Sequence, residues 1–361
     1  MPRPIQAIVH VEALRHNLDV AKRRAGGRAV WAVAKADAYG HGIEQAVAAF
    51  GAADGLAVLD LAEAARARAA GWTRPILLLE GFFEAADLEA VVRLGLATVV
   101  HCDTQLALLE RSRPGGRVAV HLKCNSGMNR LGFEPSRFAA ALARAASMPH
   151  VEVAAAMTHL ANADARVAEP ASPSVREQID RFAEATRDYR GPRSIANSAA
   201  LMLQPSVGGD SVRPGIVLYG GAPCAATPAS DLGLLPAMSL RSRLLEVRDV
   251  PSGATVGYGG RWQARRPSRI GVVACGYADG YPRHAPDGTP VAVAGRVVPL
   301  AGRVSMDMLT VDLTGIADAA VGAEVELWGR TVAVDEVAQR AGTIGYELLC
   351  AVAPRVARSV A

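Results

Sequence analysis

Among the 39 basic residues of this chain only three are lysines: Lys22, Lys35 and Lys123. Where arginine has taken almost every surface cation, a surviving lysine is a candidate for chemistry that needs an amine. A guanidinium stays protonated and cannot act as a neutral nucleophile. A lysine can lose its proton in a suitable pocket and condense with a carbonyl to a Schiff base. Lys22 lies in the charged run Ala21-Lys22-Arg23-Arg24 and reads as a helix surface residue. Lys35 and Lys123 each follow an apolar run that reads as a buried strand. The contrast points to amine chemistry at positions 35 and 123.

The elements that must hold these amines are legible as an alternation. Apolar runs occur at Ala29 to Ala34, Leu56 to Leu59, Ile76 to Leu79, Thr98 to Val100, Val118 to Leu122 and Val151 to Ala156, then around Ile195 and Val212. Helix-like, alanine-rich text lies between them, as at Leu61 to Ala70, Ala85 to Leu94, Ser136 to Ala146 and Val175 to Tyr189. Eight strands with intervening helices predict an α/β fold, a (β/α)₈ TIM-type barrel. The rival is an open doubly wound sheet, weakened because no G-x-G-x-x-G follows the first strand. After Pro236 the pattern changes. From Ser239 to Trp328 short segments rich in valine and glycine alternate with turns such as Pro251-Ser252-Gly253, which predicts a mainly antiparallel β C-terminal domain. Helical text returns at Val334 to Ala341 and Gly345 to Val352. The expected division is 1–230 and 231–361, with the Pro- and Ala-rich stretch Ala222 to Pro236 as linker. An early strand, Gln6 to His10, fits either unit.

In a barrel, residues just past the C-terminal ends of the strands converge on one mouth, where such proteins do chemistry. That rule brings together Lys35, Lys123, His159, Asn197, Ser198, Arg213, Gly215 and Ile216. Barrel phosphate sites use loops after the seventh and eighth strands, with backbone N–H groups aimed at the anion. Ser198 and the turn Pro214-Gly215-Ile216 suit that task. An amine on one side of the mouth and a phosphate cup on the other would hold pyridoxal 5′-phosphate.

The same residues resemble a family. Val33 to Gly42 (VAKADAYGHG) is similar to the cofactor-lysine signature of the bacterial alanine racemases. The resemblance continues through Lys123 to Phe133 (KCNSGMNRLGF), Thr158-His159, Asn197-Ser198, Arg213 to Ile216, Gly257-Tyr258-Gly259, Gly276 to Tyr281 (GYADGY), Ser305-Met306-Asp307 and Gly342 to Cys350 (GTIGYELLC). These motifs run in order through both expected domains. The resemblance implies two-base proton exchange at Cα of an alanine bound to pyridoxal phosphate as an external aldimine. Lys35 would carry the cofactor and serve the D-enantiomer, and Tyr258 would serve the L-enantiomer. Tyr39, Ser198, Gly215, Ile216 and Tyr346 would surround the phosphate, with His159 and Asn197 near the ring. Arg213 would face the pyridine nitrogen, where a permanent cation disfavours ring protonation and weakens the electron sink. Arg130, Met306 and Asp307 would meet the substrate carboxylate region. Tyr277 and Tyr346 would narrow the entrance. Lys123 matches a lysine that carbon dioxide can carbamylate. The resemblance further implies a homodimer in which Tyr258, Met306 and Asp307 complete the other subunit's site.

Read without the resemblance, Arg213 is equally a structural salt-bridge residue, and Tyr258 is a tyrosine between glycines in a turn. Rival functions are a pyridoxal-dependent decarboxylase, a broader-specificity racemase and a cofactor carrier without catalysis. The net charge of +4, the low aromatic content and the lack of long basic blocks argue against nucleic-acid binding. No apolar run is long enough for a membrane span. The N-terminal text lacks a signal peptide, and five scattered cysteines without C-x-x-C read as reduced thiols. These features predict a cytoplasmic protein, and the resemblance implies an isomerase supplying D-alanine for peptidoglycan.

Overall fold

A computed structural model describes residues 3–165 and 172–361. Its first strand, β1 (Gln6–Val9), precedes eight parallel strands: β2 (Ala29–Val33), β3 (Gly55–Val58), β4 (Ile76–Leu78), β5 (Leu96–Val100), β6 (Val118–Lys123), β7 (Val151–Met157), β8 (Arg193–Ala196) and β9 (Ser211–Val212). Each pairs with the next, and β9 returns to β2 through Ala29↔Ser211 and Val30↔Val212, closing a barrel. β3 and β4 are buried along their whole lengths, as parallel strands covered by helices must be. The helices start on local signals. Asp60 caps Leu61–Ala69 by accepting the Glu63 N–H at 2.8 Å, and Ser174 and Glu177 form a capping box for Val175–Ala185. All eight expected strands are present. β5 begins two residues earlier than expected, and β6 runs one residue further, so Lys123 ends the strand instead of following it.

The remaining strands are β10 (Met238–Val250), β11 (Thr255–Val256), β12 (Trp262–Gln263), β13 (Ser268–Val273), β14 (Pro290–Val293), β15 (Arg296–Pro299), β16 (Leu309–Asp312), β17 (Glu324–Trp328) and β18 (Ala357–Val360). They form a mainly antiparallel sheet in the order β15-β14-β17-β10-β1-β18, with β13 joining β10 to β16, and a separate β11–β12 hairpin. β1 therefore lies outside the barrel, antiparallel to β10 and parallel to β18. Chain that precedes the barrel is thus built into the second sheet. Among the described residues no helix is long and apolar enough to cross a membrane.

Candidate active site

Lys35 is the second residue beyond β2, at the barrel mouth. The four residues after it, Ala36 to Tyr39, all lie in the left-handed region, with φ between 52° and 54°. Such a conformation costs an L-residue roughly 1–2 kcal/mol. The surroundings hold it in place. The Asp37 N–H donates to Glu63 Oε1 at 2.9 Å, and Asp37 Oδ1 accepts the Ile43 N–H at 3.1 Å. His41 Nδ1 lies 2.9 Å from the Tyr39 carbonyl and 3.1 Å from that of Ala38. Burial holds the His41 pKa down at about 4, so the ring is neutral and Nδ1–H is the donor. Strain concentrated beside a reactive side chain is a mark of a functional site. Lys35 and Tyr39 both line a cavity of about 620 Å³ together with Arg130, His159, Ser198 and Arg213.

One wall of this cavity is a polar cradle. The Ser198 hydroxyl accepts the Gly215 N–H at 2.8 Å. Asn197 caps the helix Ser198–Leu203, its Oδ1 accepting the Ala200 N–H and its Nδ2 donating to the Leu160 carbonyl. Gly215 allows the closest approach: a Cβ there would sit 2.4 Å from Tyr39 Oη. Tyr39 stacks on Tyr219, with ring centroids 4.6 Å apart, and packs at 6.0 Å from Tyr346. Burial raises the pKa of both Tyr39 and Tyr346, which keeps their phenols protonated and able to donate. Ile216 opens a buried 3₁₀ turn beside this cradle.

The same cavity is also lined by cations. Arg213 is buried and donates to Ser194 Oγ at 2.5 Å, to the Thr158 carbonyl at 2.6 Å and to the Ile195 carbonyl at 3.4 Å. Among the described residues its acceptors are all neutral oxygens, with no carboxylate paired to it. Burial lowers its pKa to about 10, which leaves it charged at neutral pH. Lys123 is also buried. Burial, then the positive charges of Arg213 and Arg130, lower its pKa to about 8. Burial followed by Arg213, Lys123, Arg130 and Lys35 holds His159 at about 3, a neutral imidazole. Lys35, Lys123, Arg130, His159 and Arg213 also share a contiguous cavity of about 400 Å³.

The other expected site residues stand elsewhere. Tyr258 is 67% exposed at the start of a 3₁₀ turn, and Tyr277 and Met306 are 38% and 53% exposed on loops of the β domain. Asp307 is committed to Arg355, whose Nη2 donates to its carboxylate at 2.7 Å. None of the four lines the barrel cavity of its own chain.

Residues 9–223 match the alanine racemase N-terminal domain family, and residues 237–360 match the alanine racemase C-terminal domain family. The chain belongs to the alanine racemase family. The alanine racemase of Bordetella petrii is 54% identical over 376 aligned residues, which cover 99% of this chain and 98% of that protein. That of Janthinobacterium sp. (strain Marseille) is 52% identical over 358 residues, again covering 99% and 98%. The crystal structure of biosynthetic alanine racemase from Pseudomonas aeruginosa is similar with a TM-score of 0.94 at 48% identity, covering 99% of each chain. The structure of alanine racemase from Acinetobacter baumannii gives 0.92 at 34% identity, covering 99% of this chain and all of that one. The family match spans the β domain too, which a single-barrel cofactor carrier lacks.

Some cavity residues were not singled out from sequence. Glu80 and His101 line the mouth beside Lys123, and Ser194 holds Arg213. Glu80 is the second residue after β4 and His101 the first after β5, so the rule that found Lys35 applied to them equally. Ser194 sits inside β8 and carried no such signal. A larger cavity, about 1090 Å³, lies between the 222–236 linker and the segment Gly329 to Gln339. It includes none of the residues that converge at the barrel mouth.

Proposed function

We propose that this chain is a pyridoxal 5′-phosphate-dependent isomerase that interconverts L-alanine and D-alanine as a homodimer. The observation that carries this reading is the convergence, in one cavity, of the Lys35 amine, the Arg213 cation and the donor cradle around Gly215. The donor set fits the cofactor. Protonated phenols of Tyr39 and Tyr346, the Ser198 hydroxyl and the backbone N–H groups of Gly215 and Ile216 suit a phosphate dianion. A side chain at Gly215 would fill the space beside Tyr39. When bound, the cofactor would supply an aldehyde for the substrate amine and an electron sink for Cα.

The chain's own residues would then divide the work. Lys35 Nζ would hold the cofactor and would move the proton on the face used by D-alanine. Tyr258, given by a second copy of the chain, moves the proton on the face used by L-alanine. A tyrosine of ordinary pKa, about 10, needs surroundings that stabilise its phenolate for this. Arg213 would meet the ring nitrogen, His159 and Asn197 would hold the ring, and Arg130 would meet the substrate carboxylate, oriented by Lys123 in carbamylated form. Met306 and Asp307 from the second copy border the same region. Tyr277 and Tyr346 restrict the entrance to a methyl side chain. Residues 1–230 thus carry the cofactor lysine, with Tyr346 added to the phosphate cradle from 231–361, the part that also gives the second base to the partner subunit. The five free cysteines support a reducing compartment. We place the enzyme in the cytoplasm, where it supplies D-alanine for peptidoglycan.

Following the circular dichroism of L-alanine in heavy water, with subsequent mass analysis, tests the reading. The expected result is decay to zero signal with deuterium at Cα. Deuterium without loss of chirality would leave the base on the L-alanine face working and remove Lys35 from its role as the base on the D-alanine face. No change in either quantity, with cofactor bound, would sink racemisation.

A further inference from the structure

Two arginines far apart in sequence meet on one buried carboxylate. Asp279 is fully buried, and its Oδ2 accepts Arg3 Nη2 at 3.0 Å while its Oδ1 accepts Arg355 Nε at 2.7 Å. The same arginines reach the next loop. Arg355 Nη2 donates to Asp307 Oδ1 at 2.7 Å, and Arg3 Nη2 donates to the Asp307 carbonyl at 2.8 Å. The topology explains the meeting: Arg3 lies just ahead of β1, Arg355 lies just ahead of β18, and these two strands are parallel neighbours with Gln6 opposite Ala357.

The two loops under this clamp are laced directly to each other. The Tyr277 and Ala278 N–H groups donate to the Ser305 and Met306 carbonyls, each at 3.0 Å. Asp279 Oδ2 also accepts the Gly276 N–H at 2.9 Å. A Cβ on Gly276 would lie 2.3 Å from the Met306 carbonyl oxygen, so the loops touch backbone to backbone. Movement of either loop therefore moves the other. They carry Tyr277 and Met306, both exposed.

We propose that Arg3, Asp279 and Arg355 are positioning residues that set the placement of Tyr277 and Met306 and thereby the enzyme's discrimination among small amino acids. The proposal rests on the reading that these two side chains border the substrate. None of the three positioning residues touches substrate or cofactor. Their action is geometric: a guanidinium that forks between Asp279 and Asp307 fixes the spacing of two loops, which an ammonium cannot do.

The test uses the holoenzyme with Arg355→Gln, Arg355→Lys and Asp279→Asn. Neutralising the buried carboxylate weakens both guanidinium contacts and the Gly276 N–H bond at once and can prevent folding, so Arg355→Gln, which leaves Asp279 paired to Arg3, is the principal variant. It is expected to raise KM for L-alanine about tenfold with little change in kcat, because a small misplacement acts on substrate fit. The preference for alanine over serine should narrow by roughly threefold or more. Hydrogen exchange at 276–281 and 305–308 should quicken, with visible cofactor absorbance and dimer mass unchanged. Arg355→Lys should fall between Arg355→Gln and the unmodified enzyme. A proportional loss for both substrates, tracking melting temperature, would overturn the proposal, as would unchanged exchange in the two loops. Tyr277→Ala separates the two levels. An altered alanine-to-serine preference upholds the reading beneath the proposal, and an unchanged one means this loop is not at the site and the proposal falls with it.

Discussion

At the barrel mouth the polar groups are buried and held: Lys123, Arg213 and Ser198 are almost wholly enclosed, and Tyr39 is stacked on Tyr219. On the β domain the corresponding residues are large, apolar in body and turned outward, with Tyr258, Tyr277, Met306 and Met308 all exposed. The difference is one of completeness. A cofactor site can be preorganised inside a single chain, because strand ends of a closed barrel converge by geometry alone. A base for the opposite face of a substrate lying over that mouth has to come from outside it. The β domain holds its loops firmly, through the ion cluster on Asp279, yet leaves Tyr258, Met306 and Met308 exposed and covers Tyr277 only in part, by the Arg283 guanidinium 5.5 Å from its ring. Exposed apolar side chains on a rigid support are what a self-complementary interface requires.

The strongest way to break this division is at its centre. Lys35→Arg keeps the charge and the fold but removes the only amine that can hold the cofactor at this position. Racemisation should fall on the order of 10⁴-fold or more, and the visible absorbance of the bound cofactor should vanish at an unchanged melting temperature. Retention of that absorbance would remove Lys35 from its role. Tyr258→Phe should come next, with a loss of roughly 10²–10⁴ in turnover from removal of one acid–base group. The cofactor should still bind. Deuterium should continue to enter D-alanine through Lys35 and cease to enter L-alanine. Mixing the two inactive variants sharpens the comparison: hybrid dimers contain one intact site, so random pairing restores roughly a quarter of the activity. No recovery would show that each site draws both bases from one chain.

How far the sequence carried this picture depends on whether position along the chain sets position in space. The barrel was legible because each strand is a short apolar run and closure follows from their number. The site residues at strand ends were legible for the same reason. β1 was not assignable: Gln6 to Val9 reads as any half-buried strand, and only its pairing with β10 and β18 decides which sheet it joins. The left-handed turn at Ala36 to Tyr39 had no local signal either, since neither alanine nor aspartate asks for positive φ; contacts from Glu63 and His41 impose it. The Asp279 cluster lay further still from view, because it joins residues 276 positions apart. The family motifs named Tyr258, Met306 and Asp307, whereas spacing alone offered no reason to choose them.

A milder test acts on the cationic wall. The pKa of Lys123 falls from 10.5 to about 8. Between those values the native chain binds fewer protons than the unfolded one, so this group's contribution makes stability rise with pH across the window. Below pH 8 the buried charge exacts its full cost. The neutral amine that the proposed carbamylation requires becomes the major form only above pH 8. Activity should therefore respond to added bicarbonate more strongly at pH 8.5 than at pH 7, and scrubbing carbon dioxide should lower it. Lys123→Ala should reduce turnover about tenfold through loss of the group that orients Arg130, abolish the bicarbonate response and keep the cofactor bound. Loss of cofactor in that variant would contradict the orienting role.

The smallest effect is expected in the phosphate cradle, where several donors share one anion. Tyr39→Phe removes one hydroxyl and keeps the ring stacked on Tyr219, so cofactor affinity should drop by about 1 kcal/mol, roughly fivefold, with kcat unchanged. Gly215→Ala should act on the same spot by crowding, since its Cβ would meet Tyr39 Oη at 2.4 Å but the ring carbon behind it only at 3.1 Å. Removing the oxygen makes room for the methyl group. The two substitutions should therefore be non-additive, with the double variant binding cofactor more tightly than the product of the single losses predicts. Coupled residues in contact show interaction energies on the order of 1 kcal/mol, measurable by fluorescence titration of the apoenzyme with pyridoxal phosphate. Strict additivity would mean that Tyr39 and Gly215 do not face a common ligand, and the cradle would then have to be drawn around Ser198 and Tyr346 alone.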